Sequence, residues 1–333
     1  MTAEAAAAPP GGETFYLIDG YAAIFRAYYA IRRPFYSPTT GEETQAVFVF
    51  ARMLHKLYST LAPDYLVVAL DAPGETFRDE LYRGYFESPP SEEKPADTPV
   101  PEVPGYKGTR RATPDGLSAQ IPRILELLEL LGIPMIGKAG LEADDVIATL
   151  TERVLAERPD LRVRIVSRDK DLEQLLRDGP DGRPAVTLFD VHSGAEFGRA
   201  ELWEKRGVRP EQVPDLLALT GDAVDNVPGV PGIGGRTAAK LLQEFGSLDG
   251  VLQNLDRAPA RLRPALEQAR TAVLPLSRRL VTLHRDPEVA QAFDLEAARV
   301  PRPTPVRAAS AAALCRFFEE LGFESLSHQF QNL

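Results

Sequence analysis

The chain has 333 residues, 48 acidic side chains against 38 Lys plus Arg, and a formal charge of −10. Apolar residues make 44% and charged residues 26%, a globular composition at a length that suits two domains or one elaborate one. The single cysteine, Cys315, excludes an internal disulfide framework and a Cys-based zinc site and points to a reducing compartment. The four scattered histidines, His55, His192, His284 and His328, argue against a His-rich metal site. No stretch approaches the roughly 20 apolar residues that span a bilayer. The start, MTAEAAAAPPGG, lacks the basic n-region of a signal peptide, so residues 1–12 read as a disordered tail. Net acidity ordinarily argues against a nucleic-acid partner, but that inference depends on where the acids sit.

Taken in chain order, three short apolar runs lead to carboxylates. FYLI at 15–18 ends at Asp19, YLVVAL at 65–70 ends at Asp71, and VRIV at 163–166 leads through Ser167 and Arg168 to Asp169. Such runs read as buried strands of a parallel sheet. Between them, 45–61 carries Val47, Ala51, Leu54, Tyr58 and Leu61 at helical spacing before Pro63. Segment 117–131 repeats the pattern, with Pro122 predicting a kink or restart and Gly132 a cap. Alternating strands and helices indicate an α/β sheet with crossovers. Residues 85–105 hold six prolines and five acids against one lysine and read as a disordered insertion in a loop. From about 198 the chain turns helical: Gly232-Ile233-Gly234 precedes a helix over 237–242 closed by Gly246, and a short amphipathic segment runs from Leu314 to Leu321.

In open α/β sheets ligands bind outside the carboxyl ends of strands. Besides Asp19 and Asp71, acids cluster as Glu142, Asp144 and Asp145 before the helix VIATL, as Asp169 and Asp171, and as Asp222 and Asp225. Each cluster has a plain explanation in helix capping, a solvated turn or an Asx-turn. Converging, nine like charges share a cleft only with cations present. Hard oxygen donors select Mg²⁺ or Mn²⁺, and several carboxylates can hold two ions about 3.5–4 Å apart, suited to in-line attack on a phosphodiester. A polyanionic substrate calls for cations, and Arg78, Lys107, Arg110 and Arg111, with Tyr82 and Tyr106 interleaved, flank the insertion. The turn Gly232-Ile233-Gly234 offers backbone N–H groups to a phosphate, although a lone GxG is a weak signal.

These residues resemble the bacterial 5′ nucleases of the flap endonuclease superfamily, in particular the N-terminal 5′–3′ exonuclease domain of DNA polymerase I. The matching segments are LIDG at 17–20, TFRDELY at 76–82, YKGTR at 106–110, EADDVIATL at 142–150, RDKDLEQLL at 168–176 and TGDAVDNVPGVPGIGGRTAAKLL at 220–242. The resemblance implies a PIN-like (resolvase-like) α/β fold over 13–197 with a helical arch at about 76–116. It implies a helix-three-turn-helix (SAM-like) DNA-binding region over 198–290 and a C-terminal helical extension over 291–333. It implies metal-site roles for Asp19, Asp71, Glu142, Asp144, Asp145, Asp169, Asp171, Asp222 and Asp225, with Asp19, Asp71, Asp145 and Asp171 central to catalysis. Lys107 and Arg110 match arch residues that contact the scissile phosphate, Arg78 a nearby basic position, and Tyr106 the stacking aromatic, with Tyr82 beside them. Gly232, Gly234, Arg236, Thr237 and Lys240 match the strand-binding motif, which in the family often carries K⁺.

The implied activity is 5′–3′ exonuclease and 5′-flap endonuclease chemistry on DNA in replication and repair, by a cytoplasmic, nucleoid-associated monomer, either stand-alone, with a DNA polymerase acting in trans, or part of a larger polymerase. Two departures stand out: Arg236 where the family usually has Lys, and a charge of −4 in the arch insertion. Rival readings are a non-catalytic structure-specific DNA-binding protein and a PIN-type ribonuclease. Setting aside the nine acids leaves −1, and setting aside the insertion as well leaves +3. The acidity is thus concentrated in the proposed metal site and one loop.

Overall fold

The computed structural model describes residues 12–86, 105–110, 112–271, 273–302, 306 and 308–333. Residues 1–11 of the expected tail and most of the acidic insertion lie outside them; Tyr85 and Phe86, placed in the insertion on sequence grounds, close a helix instead.

The strands are β1 Thr14–Asp19, β2 Tyr65–Ala69, β3 Met135–Ile136, β4 Arg162–Val166, β5 Arg177–Asp178, β6 Pro184–Asp190 and β7 Ala195–Phe197, in the order β3-β2-β1-β4-β6-β5 with β7 also on β6. The pairs β1–β2, β1–β4, β2–β3 and β4–β6 are parallel, while β5 and β7 add antiparallel. The three runs read from the sequence are the central strands. Alternate residues of β1 enter opposite cores: Phe15 and Leu17 pack with Val146 and Leu150 on one face, Tyr16 and Ile18 with Ile24 and Phe50 on the other. Burial on both faces explains the continuous rather than alternating apolar runs.

The helices of the sheet region are α1 Gly20–Ala30, α2 Gln45–Lys56, α3 Phe77–Phe86, α4 Asp115–Leu130, α5 Ala143–Glu157 and α6 Arg199–Arg206. Helix α4 runs through Pro122 without restarting. It ends as expected at Gly132, at φ 67°. The Gly132 N–H donates to Glu129 O at 2.9 Å and Ile133 N–H to Leu128 O at 3.0 Å, a Schellman closure. The C-terminal helices are α7 Val213–Thr220, α8 Gly235–Phe245, α9 Leu248–Gln253, α10 Arg263–Thr271, α11 Leu274–Val281, α12 Pro287–Ala292, α13 Ala308–Glu320 and α14 Glu324–Gln331. Helices α7 to α11 extend the core that α5 shares with the sheet, whereas Phe318 and Phe330 of α13 and α14 join the core beneath α2 and α4. The chain turns to opposite sides after β1, toward β2 and then back to β4. The carboxyl ends of these three strands therefore form the switch-point crevice where ligands bind.

Candidate active site

Asp19 ends β1 and caps α1, accepting the Ala22 N–H at 3.3 Å. Ser167, just past β4, donates its hydroxyl to Asp19 Oδ2 at 2.8 Å and accepts the Asp169 N–H at 3.0 Å, so one hydroxyl ties two strand-end acids together. Asp71, past β2, accepts the Ala143 N–H at the start of α5 at 2.8 Å. Burial, then the charges of Asp169 and Asp71, push Asp19 up to about 6 against the Ser167 hydrogen bond. Burial, then Asp19, Asp169, Asp171 and Glu142, hold Asp144 well above the usual carboxylate range. Five of the predicted acids thus repel Asp144 or one another across a single cleft.

A second group closes more tightly. Carboxylate oxygens of Asp171, Asp222 and Asp225 lie within 4.8 Å of one another. Burial and the charges of Asp169, Asp225 and Asp222 push Asp171 up to about 8, and its buried Oδ1 has no hydrogen-bond partner. An orphaned buried carboxylate oxygen among like charges fits a cation site, and all-oxygen donors fit a hard divalent ion. The loop that brings Asp222 and Asp225 here is pinched at its base: Asp222 and Val227 exchange both backbone hydrogen bonds at 2.8 Å. Gly221, at φ 69°, faces Gly229 so closely that a Cβ on Gly229 would lie 2.4 Å from Gly221 N. Asp222 Oδ1 also accepts the Val224 N–H at 2.9 Å, so the Asx-turn and the cation site are the same residues in two roles.

Side-chain cations cover this group. Lys170 Nζ lies 2.6 Å from Asp222 Oδ2, Arg110 Nη2 2.6 Å from Asp225 Oδ1, and Lys107 Nζ 2.5 Å from Glu142 Oε1. Residues 105–110 are seated on the acid loop: Lys107 N–H donates to Asp225 O at 3.0 Å, and Thr109 Oγ1 to Val224 O at 2.6 Å. Asn226, at φ 60°, donates to Gly105 O at 2.8 Å. Ser167, Lys170, Thr109 and Asn226 were not singled out from the sequence. Their signals were present in the residues beside the acids, with Asn226 in a left-handed turn position that Asn tolerates.

Comparison with known proteins gives this arrangement its context. Residues 14–207 match the family model for the 5′-3′ exonuclease N-terminal resolvase-like domain, and 208–305 that for the 5′-3′ exonuclease C-terminal SAM fold. The 5′-3′ exonuclease of Aquifex aeolicus (strain VF5) is 36% identical over 277 residues, covering 83% of this chain and 84% of that protein. The chain belongs to the 5′-3′ exonuclease family. The thermostable DNA polymerase I of Thermus aquaticus is 36% identical over 320 residues, 94% of this chain but 32% of that protein, so the chain spans about a third of such polymerase relatives. In fold it is similar to T5 5′-exonuclease solved with zinc ions (TM-score 0.60, 19% identity, 96% of this chain and 98% of that one). It is also similar in fold to the catalytic core of Rad2 in complex with DNA substrate (TM-score 0.59, 16% identity, 96% and 92%).

Within this exonuclease-family chain, four residues sit differently from the sequence expectation. Asp145 is fully buried. Its Oδ1 accepts from Arg78 Nη2 at 2.8 Å and His284 N at 2.8 Å, its Oδ2 from Arg78 Nη1 at 2.6 Å and Glu142 N at 3.3 Å. A carboxylate has about four acceptor positions, and in Asp145 all are taken by donors of the protein itself. Arg78 is 1% exposed and spent on that pairing, which removes it from the DNA-facing set. Tyr82 and Tyr106 are 3% and 8% exposed and belong to the core, so neither ring is open to a base.

The glycine turn is open, as a phosphate site requires. Gly232 adopts φ 81°, and a Cβ at Gly232, Gly234 or Gly235 would meet nothing within 4 Å. Gly234 is the N-cap of α8, and Arg236 and Lys240, four apart, share its exposed face with the half-buried Thr237 one residue on.

Proposed function

We propose that this chain hydrolyses phosphodiester bonds at 5′ ends and 5′ flaps of DNA, in primer removal and repair, with two Mg²⁺ or Mn²⁺ ions. The observation that carries this reading is the convergence of Asp171, a few residues past β4, with Asp222 and Asp225 of the loop after α7, the orphaned Asp171 oxygen lying among them. Asp19, Asp71, Glu142 and Asp144 would hold one ion, Asp222 and Asp225 mainly the other, with Asp169 and Asp171 near both. Divalent ions held there would supply the Lewis acidity that acidifies an attacking water and offsets charge on the phosphodiester. The chain's own part is orientation. Ser167 holds Asp19 and Asp169 in fixed relation, the Asp71–Ala143 hydrogen bond sets the α5 N-terminus against β2, and the pinch at Gly221 and Gly229 presents Asp222 and Asp225 together. Lys107 and Arg110, paired with Glu142 and Asp225, are cations at the cleft that would meet the scissile phosphate. The open turn at 232–235 with Arg236, Thr237 and Lys240 holds the duplex backbone without reading bases, and it is the place for a K⁺ ion. We place the protein in the cytoplasm as a monomer, serving DNA that a polymerase extends.

The test is one cleavage assay on labelled 5′-flap, nicked and single-stranded DNA, with Mg²⁺ and with EDTA. Mg²⁺-dependent release from the 5′ end of flap and nicked DNA is expected. Cleavage that survives EDTA, or proceeds from the 3′ end, would overturn the reading.

A further inference from the structure

Arg78 is the largest of the fully buried side chains among the described residues, and it carries a charge. Desolvating such a cation costs several kcal/mol unless it is paired in good geometry. Here every guanidinium nitrogen is engaged. Nη1 and Nη2 make the fork to Asp145 at 2.6 and 2.8 Å, Nε donates to Leu280 O at 2.7 Å, and Nη2 also to Thr282 O at 3.2 Å. Nη1 faces Glu142 Oε2 at 3.3 Å. With the His284 N–H on Asp145 Oδ1, the pair joins three pieces distant in sequence: the start of α3, the N-terminus of α5, and the stretch that follows α11.

We infer that Arg78 and Asp145 are positioning residues for the nuclease reaction proposed above, on which this inference rests. The pair fixes the rotation of α5 and thereby selects which of two adjacent aspartates faces the cations. Successive helical residues differ by about 100° around the axis. With Asp145 held by Arg78, Asp144 lies near enough to Asp19, Asp169 and Asp171 to be repelled by them. An apolar pair of equal volume would fill the space but would not fix that angle, because apolar contact is non-directional while the fork has one geometry. The same guanidinium ties α3, which leads toward the Lys107–Arg110 segment, to the carbonyls at the end of α11. The nuclease sheet and the C-terminal helices are thus held in one register around the cleft.

The test uses the full chain in four forms: unaltered, Asp145→Asn, the charge-free double variant Arg78→Met with Asp145→Leu, and Asp171→Asn as the ligand control. Mn²⁺ affinity is read by paramagnetic resonance without DNA, flap affinity with Ca²⁺ over a salt series, and kcat and KM with Mg²⁺. The double variant is expected to fold, to lose less Mn²⁺ affinity than Asp171→Asn, which loses at least ~10-fold, and to keep the salt slope of DNA binding. Its kcat is expected to fall ~10²-fold at little-changed KM, the cost of a misplacement of about 1 Å.

Mn²⁺ affinity lost in Asp145→Asn as severely as in Asp171→Asn would make Asp145 a ligand. A salt slope shallower by about one in the double variant would make Arg78 a phosphate contact. Unchanged kcat in the double variant, or failure of both variants to fold, would reduce the pair to a structural element. Each of these outcomes overturns the inference. An unaltered chain that does not cleave would instead sink the nuclease reading, while the Mn²⁺ and salt measurements still test where Arg78 and Asp145 point.

Discussion

Asp144 and Asp145 are neighbours in one motif on one helix, and their surroundings are opposite. Asp144 meets burial and four other carboxylates, so its charged form is disfavoured. Asp145 meets a guanidinium fork and two backbone N–H groups, so its charged form is completed within the protein. The cleft is an arrangement that needs cations from outside, and the clamp behind it is one that has supplied its own. Like charge at adjacent positions therefore says nothing about shared role: a carboxylate with vacant acceptor positions among like charges is a candidate ligand, and one with none is a strut.

The largest expected effect separates the two by activity. Asp171→Ala should lower single-turnover flap cleavage by about 10³-fold or more, since several kcal/mol of transition-state charge stabilisation pass through these carboxylates. Activity within tenfold of the unaltered chain would remove Asp171 from the metal set. Next is a difference in sign. In metal-free protein Asp145→Asn should destabilise, by up to ~3–5 kcal/mol, because it leaves the Arg78 charge buried and short of a counter-ion. Asp144→Asn should stabilise. Folded Asp144 and Asp171 keep protons that the unfolded chain releases near its ordinary carboxylate value of about 4. More protons bound in the folded state means that stability falls as pH rises, from about 4 to the folded value, about 8 for Asp171. The benefit of Asp144→Asn should therefore grow across that window and vanish when Mg²⁺ saturates the site. Melting curves from pH 5 to 8, with and without Mg²⁺, check both signs; a loss of stability in Asp144→Asn without metal would break the contrast.

The sequence made part of the cleft legible because Asp19, Asp71 and Asp169 follow strands buried on both faces, which announce themselves as unbroken apolar runs. Strand ends and ligands were then found together. The short strands β3, β5 and β7 escaped, since two or three residues carry no periodicity, and β6, PAVTLFD, is an equally apolar run that was passed over. Of the kink or restart that Pro122 predicts, the restart does not occur: the packing of Leu117, Ile124 and Leu128 outweighs one missing N–H. What the motif could not reveal was direction. Spacing places Asp144 and Asp145 on α5 but does not say which turns to the cleft; that depends on Arg78, which lies far off in the chain and reads, from sequence, as one more cation beside a DNA path. Tyr82 and Tyr106 were misplaced for the same reason: an aromatic beside basic residues looks alike in sequence whether its ring stacks on a base or fills a core.

A smaller effect probes how the acid loop is built. Gly229→Ala puts a methyl group 2.4 Å from Gly221 N, backbone that cannot yield as a side-chain tip would. A cost of ~1–3 kcal/mol is expected. Because Asp222 and Asp225 hang from that pinch, Mn²⁺ affinity should fall with it. An unchanged melting temperature and affinity would show that the loop accommodates the methyl and that its closure is not what assembles the second group.

The smallest expected effect on stability falls on the rim, and it sharpens the contrast from the other side. Arg110 also pairs with a buried acid, Asp225, through Nε at 2.7 Å and Nη2 at 2.6 Å. Yet its side chain is 47% exposed, so water screens the pair and holding it ordered costs side-chain entropy. Arg110→Ala should therefore change stability by less than ~1 kcal/mol, against several for Asp145→Asn, although both remove half of an Arg–Asp pair. Its effect should appear on the substrate instead. Flap DNA affinity in Ca²⁺ should weaken and the salt slope should drop by about one, as for one lost phosphate contact. Measured together, the melting temperature and the salt slope distinguish a cation that is waiting for phosphate from one, like Arg78, that already has all its partners. If Arg110→Ala lowered stability as much as Asp145→Asn and left the salt slope alone, Arg110 would belong with the clamp rather than with the cleft.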